Sequence, residues 1–116
     1  MNAAVILGGV LVVAFGVLGT AKLAAVPAMR ARADHVGFSV AAYRRIGGLE
    51  ILAVTGLLVG LAIPIVGALA AVGLVLLLAG AVITHLRNGD GIREIAPALV
   101  LGVVAAAFVI VVVGGL

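Results

Sequence analysis

Four long apolar stretches, separated by short polar segments, make up most of this chain. A helix that crosses the roughly 30 Å hydrocarbon core of a bilayer needs about 20 residues. The pattern predicts spans over residues 3–26, 43–63, 65–86 and 96–113, within a single domain that covers residues 1–116. The predicted fold is therefore all-α, a four-helix transmembrane bundle.

Prolines and polar segments mark the predicted boundaries. Pro27 follows the first span, and Pro64 separates the second and third spans in a tight hairpin. Pro97 is expected in the first turn of the fourth span. Residues 28–42 mix basic and apolar side chains, which indicates a short connector at the membrane interface. Residues 87–91 form a polar turn.

Several glycines suit close helix packing inside a membrane. A residue without a side chain lets two helix backbones approach each other, and small residues four positions apart are a recurrent pattern in such contacts. The second span has one pair with this spacing. The predicted packing glycines are Gly16, Gly19, Gly47, Gly56 and Gly60.

The basic residues predict an orientation in the membrane. In the four-span topology both termini and the Pro64 turn share one side, and the two longer loops share the other. All of the arginines fall on the loop side: Arg30, Arg32, Arg44, Arg45, Arg87 and Arg93. By the positive-inside rule, both long loops are cytoplasmic and both termini lie outside.

The composition supports a membrane protein and excludes several kinds of site. The chain is 66% hydrophobic and 9% charged, whereas soluble domains carry about a quarter charged residues. The formal net charge is +3, but the basic residues flank apolar runs, which argues against nucleic-acid binding. The chain has no cysteine, so it contains no disulfide, redox pair or thiolate metal site. With two histidines and four acidic residues, no metal cluster is predicted.

One polar locus interrupts the predicted spans. A carboxylate at the centre of a membrane helix costs about 2.5–3.5 kcal/mol, so Glu50 should face other helices and a partner. Arg44 shares its helix face, while Lys22 and His85 lie at similar depth on neighbouring spans. Lys22 is the favoured ion partner of Glu50, because Arg44 is almost two turns away. The predicted ligand or ion-pair locus is Lys22, Arg44, Glu50 and His85, with a structural ion pair and a ligand role both open.

Three sequence features together resemble the DoxX-like proteins. They are Lys22 near the end of the first span, the pattern Tyr43-Arg44-x-x-Gly47-x-x-Glu50, and the segment AVITHLRNGD over residues 81–90. The resemblance implies a small bacterial four-span bundle in the cytoplasmic (inner) membrane. Relatives named DoxX or DoxD are associated with thiosulfate:quinone oxidoreductase or with membrane complexes that handle oxidative stress. Because this chain lacks cysteine, any thiol chemistry would belong to a partner.

Three functions follow as hypotheses. The first is a non-catalytic subunit that docks to a larger membrane or redox-linked assembly, because the chain has little soluble surface and few catalytic side chains. Its partner would be another membrane protein or a second copy. The alternative is a binder of a lipophilic small molecule, a quinone or a lipid, at the polar locus on the cytoplasmic side. No cofactor is expected in the chain itself.

The third hypothesis is a small proton-coupled exporter. The small multidrug-resistance transporters have a similar length, four spans and one membrane glutamate. In those proteins the glutamate lies in the first span among aromatic residues, whereas Glu50 lies in the second span beside arginines that would repel a cation. Aromatic residues make up only 3% of this chain. An exporter is therefore the weakest of the three hypotheses.

Overall fold

The computed structural model describes residues 2–116, and it consists of helices joined by short turns. The all-α prediction is confirmed, but the described residues form five helices rather than four. They are α1 (Ala3–Leu23), α2 (Pro27–His35), α3 (Val40–Val59), α4 (Pro64–Arg87) and α5 (Ile92–Gly114).

The four long helices form a ring around one core. Helix α3 packs between α1 and α4, and α5 closes the ring by packing against α4 and α1. The centre is filled by buried residues from all four helices, the largest being Leu11, Phe15, Leu57, Leu74, Leu78 and Phe108. Large apolar side chains also cover the outside of the ring, as a lipid-facing surface requires.

Three helices, α1, α4 and α5, are long and apolar enough to cross a membrane. Helix α3 has 20 residues but carries Arg44, Arg45 and Glu50, so its composition does not meet the same standard. Three helices therefore meet this standard instead of the four predicted, and the reason is the charge on the second predicted span.

The first connection differs from the predicted interfacial connector. Helix α1 ends at Leu23 instead of continuing to residue 26, and Ala25 takes a positive φ of 51°, which is uncommon for a residue with a side chain. The chain turns there, and Pro27 starts a new helix at the position that proline favours. Residues Met29 and Ala33 of α2 are buried, so α2 is packed onto the bundle.

Two other helices begin three or more residues earlier than predicted. Helix α3 begins at Val40 instead of residue 43, because the Ser39 hydroxyl oxygen accepts a hydrogen bond from the Ala42 N–H at 3.0 Å. Helix α5 begins at Ile92 instead of residue 96. Pro97 consequently lies in the second turn of α5, where it leaves the carbonyl group four residues earlier without its usual helical donor.

Most of the predicted packing glycines lie at helix contacts. A Cβ atom on Gly60 would lie 2.6 Å from the Gly67 Cα atom, and one on Gly56 would lie 2.8 Å from the Ala70 Cβ atom. These close approaches join α3 and α4 near the Pro64 turn. The prediction for Gly16 is wrong: no atom outside its own turn of helix lies within 4 Å of where its Cβ would stand. A residue three positions from Gly19 points about 60° away from it, so Gly16 misses the contact with α3.

The helix directions gather every Lys, Arg and Asp side chain, together with Glu94, at one end of the bundle, whereas Glu50 lies near the middle of α3. That end contains the end of α1, all of α2, the start of α3, the end of α4 and the start of α5. We refer to it as the charged end. The opposite end contains the start of α1, the Pro64 turn and the end of α5.

Candidate functional site

A contact between two glycines brings α1 and α3 together at the charged end. A Cβ atom on Gly47 would lie 2.8 Å from the Gly19 carbonyl oxygen, and one on Gly19 would lie 3.0 Å from the Gly47 carbonyl oxygen. A side chain at Gly47 would therefore push the helices apart, and one at Gly19 would require its neighbours on α3 to give way slightly. The contact places the last turn of α1 directly against the second and third turns of α3.

This contact sets up a buried ion pair. The Lys22 ammonium group donates a hydrogen bond to Glu50 Oε1 at 2.6 Å. The Glu50 side chain is 2% exposed and the Lys22 side chain is 12% exposed. The Lys22 Nζ atom also lies 5.2 Å from the centroid of the Tyr43 ring, within the range of a cation–π interaction. Lys22, the partner favoured from the sequence, therefore balances the charge of Glu50.

The structure places Arg44 outside the predicted locus. Its Nε atom donates a hydrogen bond to the Leu23 carbonyl oxygen at 3.0 Å, at the C-terminus of α1. A cation at that position satisfies a free carbonyl group and interacts favourably with the helix dipole. Including Arg44 with Glu50 was wrong, because the side chain of Arg44 reaches back to the neighbouring helix.

His85 belongs to a second group of polar side chains, which we call the His–Asp cluster (His35, His85, Asn88 and Asp90). The Nδ1 atom of His85 lies 2.7 Å from Asp90 Oδ2, and the Nε2 atom of His35 lies 2.8 Å from Asp90 Oδ1. The Asn88 amide donates to both Asp90 oxygens at 3.2 and 3.3 Å, and to the His35 carbonyl oxygen at 3.1 Å. The cluster therefore connects α2 to the end of α4 and to the turn that follows.

The hydrogen bond from His85 is the main reason that the pKa of Asp90 lies below its usual value. Asn88 and His35 act in the same direction, while burial acts against them. The carboxylate is thus stabilised in its ionised form by donors from three segments.

Within residues 2–116, no group of three or more histidine, aspartate or glutamate side chains is arranged to hold a metal ion.

Sequence reasoning identified only one member of the His–Asp cluster. Asn88 and Asp90 were assigned to a polar turn, although their position within five residues of His85 is a local signal for such contacts. His35 is 55 residues from Asp90. No local pattern relates those two residues, and only the packing of α2 brings them together.

A cavity of about 640 Å³ lies at the charged end, and all five helices contribute to its walls. We call it the central cavity. Its volume falls in the range of small-molecule sites, roughly 300–1,000 Å³. Part of the wall is apolar, including Phe15, Leu18, Ile46, Leu77, Leu78, Ala81, Ala98 and Leu101. The polar part includes Lys22, Arg32, His35, Tyr43, Glu50, Thr84, His85, Arg93 and Glu94.

The central cavity thus combines the two predicted polar elements that the fold brings together, the Lys22–Glu50 pair and His85. Apolar walls with a few polar groups on one side are typical of sites for amphipathic molecules. Such a site can bury hydrocarbon and still satisfy the hydrogen bonds of a polar head group.

A comparison with known protein families matches residues 6–108 to the DoxX-like family. The same sequence has no significant match among curated proteins or solved structures. The family match covers most of the chain and confirms the resemblance drawn from the motifs around Lys22, Glu50 and His85. This chain therefore belongs to the DoxX-like family.

Proposed function

We propose that this protein binds a lipophilic small molecule in the central cavity, with the polar end of the molecule beside Lys22, Glu50 and His85. The observation that carries this proposal is a cavity of about 640 Å³ with both apolar and polar walls. A quinone or a lipid, the candidates named from the sequence, has the required division into an apolar and a polar part.

The available hydrogen-bonding groups support this binding mode. An ammonium group has three N–H donors, and the structure uses one of them on Lys22 for Glu50. The remaining donors can serve a carbonyl or acidic oxygen of a ligand. Phe15, Leu78 and Leu101 would contact its hydrocarbon part, where each buried CH₂ group contributes about 0.8 kcal/mol.

We also propose that α3 crosses the membrane as a fourth span. It lies between α1 and α4, two helices that are long and apolar enough to do so. Glu50 is balanced by Lys22, while Arg44 and Arg45 lie near the helix start, where long side chains can reach the head groups. The proposed orientation puts the charged end in the cytoplasm and both termini outside, in the inner membrane of a bacterium.

A substitution that fills the central cavity tests the proposed function. Ala81 lines the cavity, whereas Ala79 is an exposed residue of the same helix outside the cavity lining. We expect Ala81→Phe to lose a lipophilic molecule that copurifies with the wild-type protein in native-membrane nanodiscs, and Ala79→Phe to retain it. Organic extraction and mass spectrometry measure the bound molecule. Equal retention by both variants would contradict binding in this cavity.

A second pair of substitutions tests the polar end. Glu50→Gln together with His85→Ala should reduce the amount of the same bound molecule, because both side chains line the central cavity. Undiminished ligand in this double variant would place the polar end elsewhere.

The docking-subunit hypothesis remains a prediction with its own test. A tagged chain purified in mild detergent should then recover a membrane protein at comparable stoichiometry, and recovery of the bare chain alone would argue against it.

The exporter hypothesis has less support, because Arg32 and Arg93 line the central cavity and would repel a cationic substrate. Proton release on addition of a candidate cation to purified protein would be needed to support it.

A further inference from the structure

Some of the charged groups around the central cavity have ion-pair or hydrogen-bond partners, and others have none among the described residues. Of its two carboxylates, Glu50 is paired with Lys22, and Glu94 accepts a hydrogen bond from the Gly91 N–H at 3.1 Å. The guanidinium groups of Arg32 and Arg93 have no hydrogen bond or ion pair with any residue in the range 2–116. Three cationic and two anionic side chains therefore line the cavity, which gives it a net charge of +1, and the two guanidinium groups have no direct partner among the described residues.

Two of the other arginines at the charged end have hydrogen-bond partners. Arg30 and Arg44 donate to backbone carbonyl oxygens of Ala25 and Leu23, so they have structural partners in the connection after α1. Arg32 lies on α2 and Arg93 on α5, and both line the same cavity. Both side chains are exposed, and each would attract an anionic group bound in this cavity.

The chemistry of the guanidinium group indicates which anion. Its planar set of N–H donors matches the oxygen atoms of a phosphate or a carboxylate, often through two parallel hydrogen bonds. The neighbouring apolar wall includes Phe15, Leu78 and Leu101, which would contact a hydrocarbon chain. A free inorganic anion would leave that wall unused, and a neutral head group would leave the two arginines unpaired.

We propose that the ligand of the central cavity is an amphiphile with an anionic phosphate or carboxylate head group held by Arg32 and Arg93. Its hydrocarbon chain lies against Phe15, Leu78 and Leu101. This inference rests on the proposed function and specifies the class of ligand.

Binding of short-chain lipids to the purified protein in maltoside detergent tests the inference. The probes are dioctanoyl phosphatidylglycerol, which is anionic, dioctanoylglycerol, which has the same chains without the phosphate, and inorganic phosphate. The test variant is Arg32→Gln with Arg93→Gln. The matched control is Arg45→Gln with Arg87→Gln, which removes the same charge from the same end at residues that do not line the cavity.

We expect the wild-type protein to bind phosphatidylglycerol at least about tenfold more tightly than dioctanoylglycerol, as a lost charge-assisted hydrogen bond predicts. The Arg32/Arg93 variant should lose that preference, whereas the Arg45/Arg87 control should keep it. Replacing Arg32 and Arg93 by lysine should retain part of the preference, because lysine keeps the charge without the planar set of donors. Unfolding temperatures of all variants show whether the bundle remains folded.

Three results would overturn the inference. They are equal affinity for the two lipids, an equal loss in the test and control variants, and competition by inorganic phosphate as strong as that of the anionic lipid. The Ala81→Phe variant distinguishes a failure of this inference about the head group from a failure of the proposed binding in the cavity. If it abolishes binding of both lipids while the arginine variants have no effect, the cavity binds amphiphiles and only the anionic class is wrong. If it leaves both lipids bound, the proposed function itself is wrong.

Discussion

The Cβ atom of Lys22 lies against Gly47 so closely that a Cβ atom on Gly47 would be only 2.7 Å away. Glu50 lies one helical turn after Gly47 on α3, and its carboxylate receives the Lys22 hydrogen bond. The glycine contact and the buried ion pair are therefore parts of one arrangement, because the first brings α1 near enough to α3 for the second to form.

Replacing Gly47 by alanine should destabilise the bundle. The added methyl group would overlap Lys22 Cβ and the Gly19 carbonyl oxygen, which are held by helix packing, and overpacking of this kind costs about 1–3 kcal/mol. Gly48→Ala is the matched control, since its nearest neighbour would be the Leu23 Cδ2 atom at an ordinary 3.9 Å. Thermal unfolding in detergent should show a loss for Gly47→Ala only, and equal unfolding temperatures would contradict the close contact.

Replacing Lys22 by alanine should be more damaging than replacing both partners of the ion pair. Removal of one partner of a buried pair can cost about 3–5 kcal/mol, although water in the adjoining cavity will reduce that value. Lys22→Ala with Glu50→Gln leaves no unpaired carboxylate and should therefore be more stable than Lys22→Ala alone. A double-mutant cycle in detergent measures the difference. Simple additivity of the two changes would show that Lys22 and Glu50 are not energetically coupled.

The His–Asp cluster should make stability depend on acid pH. The pKa of Asp90 is lower in the folded protein than its ordinary value, chiefly because of the hydrogen bond from His85. The ionised carboxylate therefore contributes its full stabilisation above the unfolded pKa, near 4, and loses it as the pH falls through the lower folded pKa. Asp90→Asn should show a smaller loss of stability than the wild type over that interval.

Asp34→Asn provides the control for this acid dependence. Asp34 is an exposed carboxylate on α2 that makes no side-chain ion pair or hydrogen bond with residues 2–116, so its replacement should leave the wild-type dependence intact. Unfolding temperatures measured from pH 7 down to acid conditions give the comparison. A wild-type profile for Asp90→Asn would show that the cluster does not stabilise the folded state.

Single cysteines can test the orientation, because the chain contains none of its own. Asp34 on α2 is exposed at the charged end, and Ala62, in the turn before α4, is exposed at the opposite end. In spheroplasts, a membrane-impermeant maleimide should label Ala62→Cys directly and Asp34→Cys only after permeabilisation. The reverse pattern would place the charged end outside.

The sequence predicted the helical membrane character and the family. Long apolar stretches can bury their backbone polar groups in lipid only as helices or closed barrels, so the all-α class followed from hydropathy and length. Charge placement also indicated one polar end, and the cost of a buried carboxylate indicated that Glu50 needs a partner. Those are local properties of residue types, which a linear sequence displays directly.

Only the tertiary structure decided which polar groups meet. Arg44 shares a helix face with Glu50 and Lys22 was predicted at similar depth, but the Gly19–Gly47 contact brings Lys22 to Glu50, and Arg44 caps α1 instead. The pairing of His35 with Asp90 depends on how α2 packs, which no spacing in the sequence reports. Helix periodicity determines the face on which a side chain lies, whereas the rotation and separation of neighbouring helices determine what that side chain contacts.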